Sequence, residues 1–375
     1  MSSALSPTST SKRKLSTRRR GLSHLPPYQS QESHDQALTA IRTFLKSRTN
    51  YDAFPVSFRL IVLDTKLNVK KALQCVVSAP LWNSDTSTFA GMLTVLDIIH
   101  LIQYYYHTAN WATAAADVET FRLESLRDIE KELGVATPPL HREHPASSLY
   151  DAAKLLIQTH ARRLPLLDND TDTGHEVIVS VLTQYRLLKF ISINCIKEIQ
   201  QLNLSLRKLK IGTYVSRDSA GSDNPYYPIA TAKLSTTVFD VVHMFSERSI
   251  SAVPVIDDDG VVLNMYETVD VITLVRLGAY QSLDLTISEA LAKRSPDFPG
   301  VIICTASDSL GTLLELIKKR RVHRLVVVEG DKGRLLGIIT LSDVLRYVIG
   351  AVAIGDAIEQ EEEPPQKPNT PAPAS

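Results

Sequence analysis

Val322-His323-Arg324-Leu325-Val326-Val327-Val328, followed after a turn by Ile339-Thr340-Leu341-Ser342-Asp343, is the stretch that decides the reading of this chain. It spells a β-branched strand with a basic start, then a second strand that ends in hydroxyl-x-x-acid and opens a helix. Three earlier stretches repeat it. Their first strands read Ala79-Pro80-Leu81-Trp82, Arg163-Leu164-Pro165-Leu166-Leu167 and Ala252-Val253-Pro254-Val255-Ile256. Their second strands end in Leu93-Thr94-Val95-Leu96-Asp97, Leu182-Thr183-Gln184-Tyr185-Arg186 and Tyr266-Glu267-Thr268-Val269-Asp270. An apolar, helix-like run such as Val238-Phe239-Asp240-Val241-Val242-His243-Met244-Phe245 precedes the strands. One supersecondary unit of β-α-β-β-α order has therefore been duplicated to four copies, which places the chain in the α+β class. A strand pair with helices on one face buries only one side, so the units are expected to pair into two modules.

The first repeat is short. Val69 to Pro80 spans 11 positions, whereas Leu149 to Pro165, Val238 to Pro254 and Leu310 to Val326 each span 16. The deficit corresponds to roughly 7.5 Å of helix at 1.5 Å per residue, a local deformation or a lost segment of sequence. Residues 1–35 have no hydrophobic periodicity and carry Lys12-Arg13-Lys14 and Arg18-Arg19-Arg20, so a disordered basic arm is expected. Beyond a solvated tail, that arm offers a nuclear-localisation patch and a phosphorylation site at Ser16 as alternatives. A helix is expected over Gln36–Ser47. The first module should occupy 36–206 and the second 207–352, joined near Gly212–Pro228, where Ser216–Pro225 has turn chemistry and a loop is expected. An acidic, Pro-rich tail at 353–375 should be disordered.

With 375 residues and 44% apolar side chains the chain can bury a sizeable core. Its 41 Lys and Arg balance 41 Asp and Glu, which removes a general attraction to nucleic acid or membrane and makes any anion site local. No apolar run is long enough to span a bilayer, and the first thirty residues do not resemble a signal peptide. The expected location is the cytoplasm and nucleus. Cys75, Cys195 and Cys304 lie far apart in apolar sequence and are expected as core thiols rather than disulfides or metal ligands. No phosphate loop, kinase catalytic loop, His-Glu-x-x-His or Gly-x-Ser-x-Gly occurs. His141-Arg142-Glu143-His144 lacks metal-ligand spacing, runs into Pro145 and reads as a loop. Catalysis and a metal site are therefore not expected.

An acid at the start of a helix after a strand can accept two hydrogen bonds from a vicinal diol, with a hydroxyl three residues earlier beside it. Asp97, Asp270 and Asp343 fit that role, although a helix cap alone would also account for them. Arg162-Arg163 and His323-Arg324 place cationic donors where a phosphate can lie, although surface ion pairs would also use them. The recurrence of acid and base in one unit favours a ligand.

These repeats, with Ser57–Asp64, Ser78-Ala79-Pro80-Leu81-Trp82, Gly91-Met92-Leu93-Thr94, Leu209-Lys210-Ile211-Gly212-Thr213-Tyr214 and Val322–Val328, resemble the γ subunits of AMP-activated protein kinase in their fungal sucrose-nonfermenting form. The resemblance runs from Phe44 to Ile349. It implies four cystathionine-β-synthase-type (CBS) repeats in two Bateman modules forming a disk, with AMP, ADP and ATP competing as ligands and no cofactor. By that resemblance Asp270 and Asp343 hold ribose hydroxyls, with Thr340 and Ser342 lining the second pocket. Thr213, Ala230, Ile250 and Ser251 fall on the adenine side, and Arg294, His323 and Arg324 on phosphate contacts. Thr94 and Asp97 match the first pocket, which lacks the basic residue before Ala79. Arg186 replaces the acid of the second repeat, and a guanidinium has no acceptor for a diol. Further departures within the nucleotide set are Arg162, Tyr185 and Glu267, with Arg163 as the second repeat's phosphate donor. The resemblance further implies two partners, a catalytic α kinase subunit and a β scaffold subunit, the latter adding strands to an edge near the N-terminus. A ligand-free scaffold for proteins or nucleic acid is the alternative reading.

Overall fold

The computed structural model describes residues 29–55, 57–75, 78–108, 121–135, 139–215, 226–276, 284–294, 298 and 300–350. The basic clusters, Ser16, the stretch 216–225 and the acidic tail lie outside the described residues.

Each repeat starts with a short helix whose apolar residues fall at i, i+3, i+4 and i+7. Helices α5 (Leu149–Gln158), α9 (Val238–Glu247) and α12 (Leu310–Lys319) bury Leu149, Ala152, Ala153 and Leu156; Val238, Val241, Val242 and Phe245; and Leu310, Leu313, Leu314 and Ile317. Ser148, Thr237 and Ser309 cap them, each hydroxyl accepting the N–H of Asp151, Asp240 or Thr312 at 3.1 Å. The first-repeat counterpart, α2 (Val69–Cys75), has 7 residues against 10 in the others. The shortening falls on this helix and leaves the strands after it intact.

Four antiparallel hairpins follow: β2 (Ala79–Asn83) with β3 (Thr88–Leu93), β4 (Arg163–Asn169) with β5 (Glu176–Thr183), β7 (Ala252–Ile256) with β8 (Val262–Glu267), and β10 (Arg324–Glu329) with β11 (Arg334–Thr340). All four shift register at the same point, after Leu81, Leu166, Val255 and Val327. β1 (Leu63–Asp64) runs parallel to β2, and β9 (Ile303–Thr305) parallel to β10. Each hairpin leads into a second helix: α3 (Val95–Thr108), α6 (Gln184–Asn194), α10 (Thr268–Arg276) and α13 (Leu341–Ile349). The remaining helices are α1 (Gln29–Lys46), α4 (Leu126–Glu132), α7 (Ile196–Gln201), α8 (Leu206–Leu209) and α11 (Ile287–Ala292).

The cores show how the repeats join. One cluster merges α5 and α6 of the second repeat with α12 and α13 of the fourth, and α1 packs onto it through Ala37, Leu38, Ile41 and Leu45. Two others join across α3 and α10, since Ile272 and Val275 enter the first repeat's core and Ile99 enters the third's. Sheet residues close the remaining seams: Phe89 meets Leu167 and Ile178, and Met265 meets Val326, Val328 and Leu335. Repeats one and two, and three and four, therefore pair through sheets, while helices join one to three and two to four. The result is a closed ring of four, with the two modules expected from the repeats set in the disk that the resemblance implies.

Three local expectations need correction. Helix α1 begins at Gln29 rather than Gln36, and the buried His34, 2.9 Å from the Tyr347 hydroxyl, seats the extra turns. Cys75 is exposed at the end of the shortened α2, whereas Cys195 and Cys304 are buried. The start of the inter-module loop is partly strand: β6 (Thr213–Tyr214) adds to β11 as an antiparallel neighbour. His141–His144 is non-helical, with Glu143 bridged to Leu166.

Candidate nucleotide site

The hairpin register sets up a recurring corner. Arg163 faces Thr183, Ala252 faces Glu267 and Arg324 faces Thr340, the last residue of each second strand. Three residues beyond that position stand Arg186, Asp270 and Asp343, and in the first repeat Asp97 stands three beyond Thr94, the residue after the strand. In all three acidic corners one carboxylate oxygen, Oδ2, accepts a backbone N–H: from Thr94 at 2.6 Å, from Glu267 at 2.8 Å and from Thr340 at 2.8 Å. Capping thus occupies one oxygen in each acid, and the second oxygen distinguishes the corners.

In the fourth repeat the Thr340 hydroxyl also donates to Oδ2 of Asp343, at 2.7 Å, and completes a capping box. Among the described residues, Oδ1 of Asp343 has only Arg346 as an ion-pair partner, at 3.9 Å. Burial raises the carboxyl's pKa against the pull of the Thr340 bonds. In the third repeat Asp270 is clamped. Nε of Arg294 donates to Oδ1 at 2.8 Å and its Nη2 to Oδ2, while the same guanidinium reaches Asn264 Oδ1 at 3.0 Å and the Met265 carbonyl at 2.7 Å. Arg294, expected on a phosphate, is therefore held on the acid, with its plane 3.9 Å from the Phe298 ring centre.

The first repeat uses the same device with a different residue. Nη1 of Arg127 donates to Asp97 Oδ1 at 3.2 Å and to Glu130 Oε2 at 2.6 Å, and Nη2 to the Met92 carbonyl at 3.1 Å. His100 lies 3.2 Å from Glu130. Burial and the neighbouring Glu130 push Asp97 up to about 7 despite Arg127. Burial also works upward on Glu130, but the bonds from His100 and Arg127 hold it at about 2. Thr94 and Asp97 are thus tied to Arg127 and Glu130 rather than to Arg162 or Arg163.

The basic side is shared between repeats. From β10, Nη1 of Arg324 donates to Glu267 Oε1 at 2.6 Å and Nη2 to Ser251 Oγ at 3.1 Å, so the fourth repeat's cation completes the third repeat's corner. Ala230 and Ile250 pack against the third repeat's core. Arg162, Arg163 and His323 gather nearby, and their side chains make no ion pair among the described residues. Arg162 and His323 keep access to solvent while protein packs closely around them. Burial and the adjoining arginines lower Arg162 to about 10 and His323 to about 4. The Tyr185 ring centre lies 6.5 Å from that of His323. Excess positive charge of this kind suits a multiply charged anion.

Two further contacts tie this region together. Thr213 sits in β6 opposite Ile338, where a β-carbon on Gly337 would come within 2.7 Å of the Thr213 carbonyl. Ser342 Oγ donates to Gln184 Oε1 at 3.0 Å, and Gln184 Nε2 to the Ala161 carbonyl at 2.9 Å, linking the fourth repeat to the second. Sequence reasoning missed Arg127, Glu130, Gln184 and Asn264. Arg127 and Arg294 follow their acids by different intervals, in connectors that do not align, so spacing gives no signal for the pair.

A family model described as CBS domain matches residues 225–276 and 297–350. A Kluyveromyces lactis protein named 5'-AMP-activated protein kinase subunit gamma is 44% identical over 321 residues, covering 84% of this chain and 93% of the relative. The Saccharomyces cerevisiae protein of the same name is 43% identical over 318 residues, 84% of this chain and 94% of its own. The human subunit gamma-3 is 33% identical over 322 residues, with 62% of that longer protein covered. A Methanocaldococcus jannaschii structure, named as an archaeal homolog of g-AMPK, shares the fold at a TM-score of 0.60 and 15% identity, covering 80% of this chain and 99% of that one. The chain belongs to the family of 5'-AMP-activated protein kinase gamma subunits.

Proposed function

We propose that this chain is the adenine-nucleotide-sensing regulatory γ subunit of a heterotrimeric protein kinase. AMP, ADP and ATP compete for the centre of the ring, and phosphate number sets how the disk engages the kinase. The observation that carries this reading is the cationic group Arg162, Arg163 and His323, without an ion pair among the described residues, gathered beside Arg324 and the carboxylates Glu267 and Asp270. Asp343 is the corner most ready for a ribose, because its Oδ1 is the least committed. Asp270 would receive a diol only after Arg294 turns away. A released Arg294 becomes a phosphate donor, which couples ribose capture to phosphate capture. A ligand biases the subunit only through different affinities for two arrangements, and the Arg294 clamp provides one of them.

The partners proposed are a catalytic α subunit and a β scaffold subunit. Support for the second comes from β1, whose described neighbour is β2 alone, preceded by Ile61 and Val62 at 43% and 38% exposure. An exposed apolar edge of this sort accepts a strand from another chain. Cytoplasm and nucleus remain the proposed locations. Titration calorimetry of the isolated chain with AMP, ADP and ATP tests the nucleotide reading. Binding that Asp343→Ala weakens at least tenfold supports it, whereas no heat at millimolar nucleotide overturns it.

A further inference from the structure

We infer that the second repeat, which has no acid for a ribose, holds a small phosphate-type anion in its own corner, independently of nucleotide. Arg163 opens β4 opposite Thr183, and the Thr183 hydroxyl accepts the Arg186 N–H at 3.1 Å. The Arg186 guanidinium folds back onto the Val181 carbonyl at 2.9 Å and lies 5.7 Å from the Phe58 ring centre. A third cation arrives from the neighbouring repeat. Helix α12 packs along α6, and Arg321, in the link between α12 and β10, brings its charge to both Arg163 and Arg186.

The contrast with the other corners points to a ligand. Arg127, Arg294 and Arg324 each pair with a carboxylate. Arg163, Arg186 and Arg321 have no ion pair among the described residues. Arg321 repels both Arg163 and Arg186, and the burial of those two adds to the cost, so the set calls for a counter-charge from outside the chain. The N-terminus of the 11-residue helix α6 adds partial positive charge at the same place. A guanidinium corner offers no acceptor to a ribose diol, while its planar donors match phosphate oxygens in pairs. The ligand is therefore inorganic phosphate or pyrophosphate rather than a nucleoside.

The same donors could also serve the phosphate tail of a nucleotide seated in the fourth repeat, and the experiment separates the two sources. The full chain is saturated with AMP to fill the acid-bearing corners, then titrated with pyrophosphate at constant ionic strength, and ATP is titrated separately. The expected result is one pyrophosphate site, weakened at least tenfold in the double variant Arg186→Ala with Arg321→Ala, with AMP affinity unchanged within twofold. Without ligand, that variant should melt at or above the wild-type temperature, because it relieves repulsion; a packing role would lower the melting point. Should the variant fail to fold, wild-type melting with AMP present decides: pyrophosphate must raise it where chloride of equal ionic strength does not. Absence of that shift, pyrophosphate affinity untouched by the variant, or a loss confined to ATP would each overturn the inference. A failure of AMP to bind would strike the nucleotide reading alone, since pyrophosphate remains measurable without it.

Discussion

Asp343 carries two duties on two oxygens. Oδ2 closes the capping box with Thr340, and Oδ1, with Arg346 at 3.9 Å, is the one left for a ligand. Asp343→Asn keeps an acceptor for the cap but cannot accept both hydroxyls of a diol. The expected outcome is a tenfold or greater loss of AMP affinity, about 1.4 kcal/mol, with little change in melting temperature. Asp343→Ala should lose the same affinity and about 1 kcal/mol of stability besides, by thermal unfolding. His323 behaves differently. Burial and the charges of Arg321, Arg324, Arg163 and Arg162 hold its pKa near about 4, below the ordinary 6.5. The unfolded chain binds a proton between those values and the folded chain does not. Its contribution to stability is therefore complete above pH 6.5 and lost as pH falls toward about 4. A phosphate beside the ring raises that pKa, so at pH 5.5, and not at pH 8, AMP binding should draw a proton onto His323 in addition to the exchange of the AMP phosphate, whose own pKa is about 6. Calorimetry in two buffers of different ionisation enthalpy measures this, and wild type should take up more protons than His323→Gln at pH 5.5 and the same number at pH 8.

At the scale of elements, the hydroxyl caps and the sheet register aim the functional groups. Ser309→Ala removes the acceptor for the Thr312 N–H and should cost about 1 kcal/mol in denaturant unfolding. The apolar runs that become α5, α9 and α12 were legible in the sequence because helical burial depends on local residue spacing, whereas their hydroxyl caps first showed in the structure. Strand β6 was not legible. Thr213 and Tyr214 lack a strand pattern of their own and become a strand only by lying on β11, where Gly337 leaves room for the Thr213 backbone. Gly337→Ala should displace β6 and lower nucleotide affinity several-fold while leaving the β10–β11 hairpin intact, as amide exchange of the two strands would report. β1 ends the first repeat's sheet. Val62→Pro, which removes one N–H from the segment leading into it, should weaken capture of the β scaffold subunit in co-purification without altering AMP binding.

At the scale of the molecule, the two modules complete each other. The largest core cluster runs from α1 through the second repeat into the fourth, and α3 packs against α10 across the ring. Residues 29–206 produced alone would expose Leu187, Leu188 and Ile191, which the full chain buries. The isolated half should therefore aggregate or self-associate, and co-production with residues 207–350 should restore a soluble one-to-one complex by size-exclusion chromatography. Recovery of a well-behaved monomeric half would contradict the shared core.

The sequence alone determined the repeating unit, its fourfold count, the acid at each corner and the arginine that breaks the pattern at 186. These are properties of short segments, and duplication printed them four times. Only the tertiary structure decided which repeat's cation serves which repeat's acid, since Arg324 crosses a module to meet Glu267 and Ser251. It likewise decided that Arg127 and Arg294 already occupy two of the acids. Such pairings join residues from separate connectors and repeats, and nothing in the spacing along the chain encodes a meeting that ring closure alone brings about.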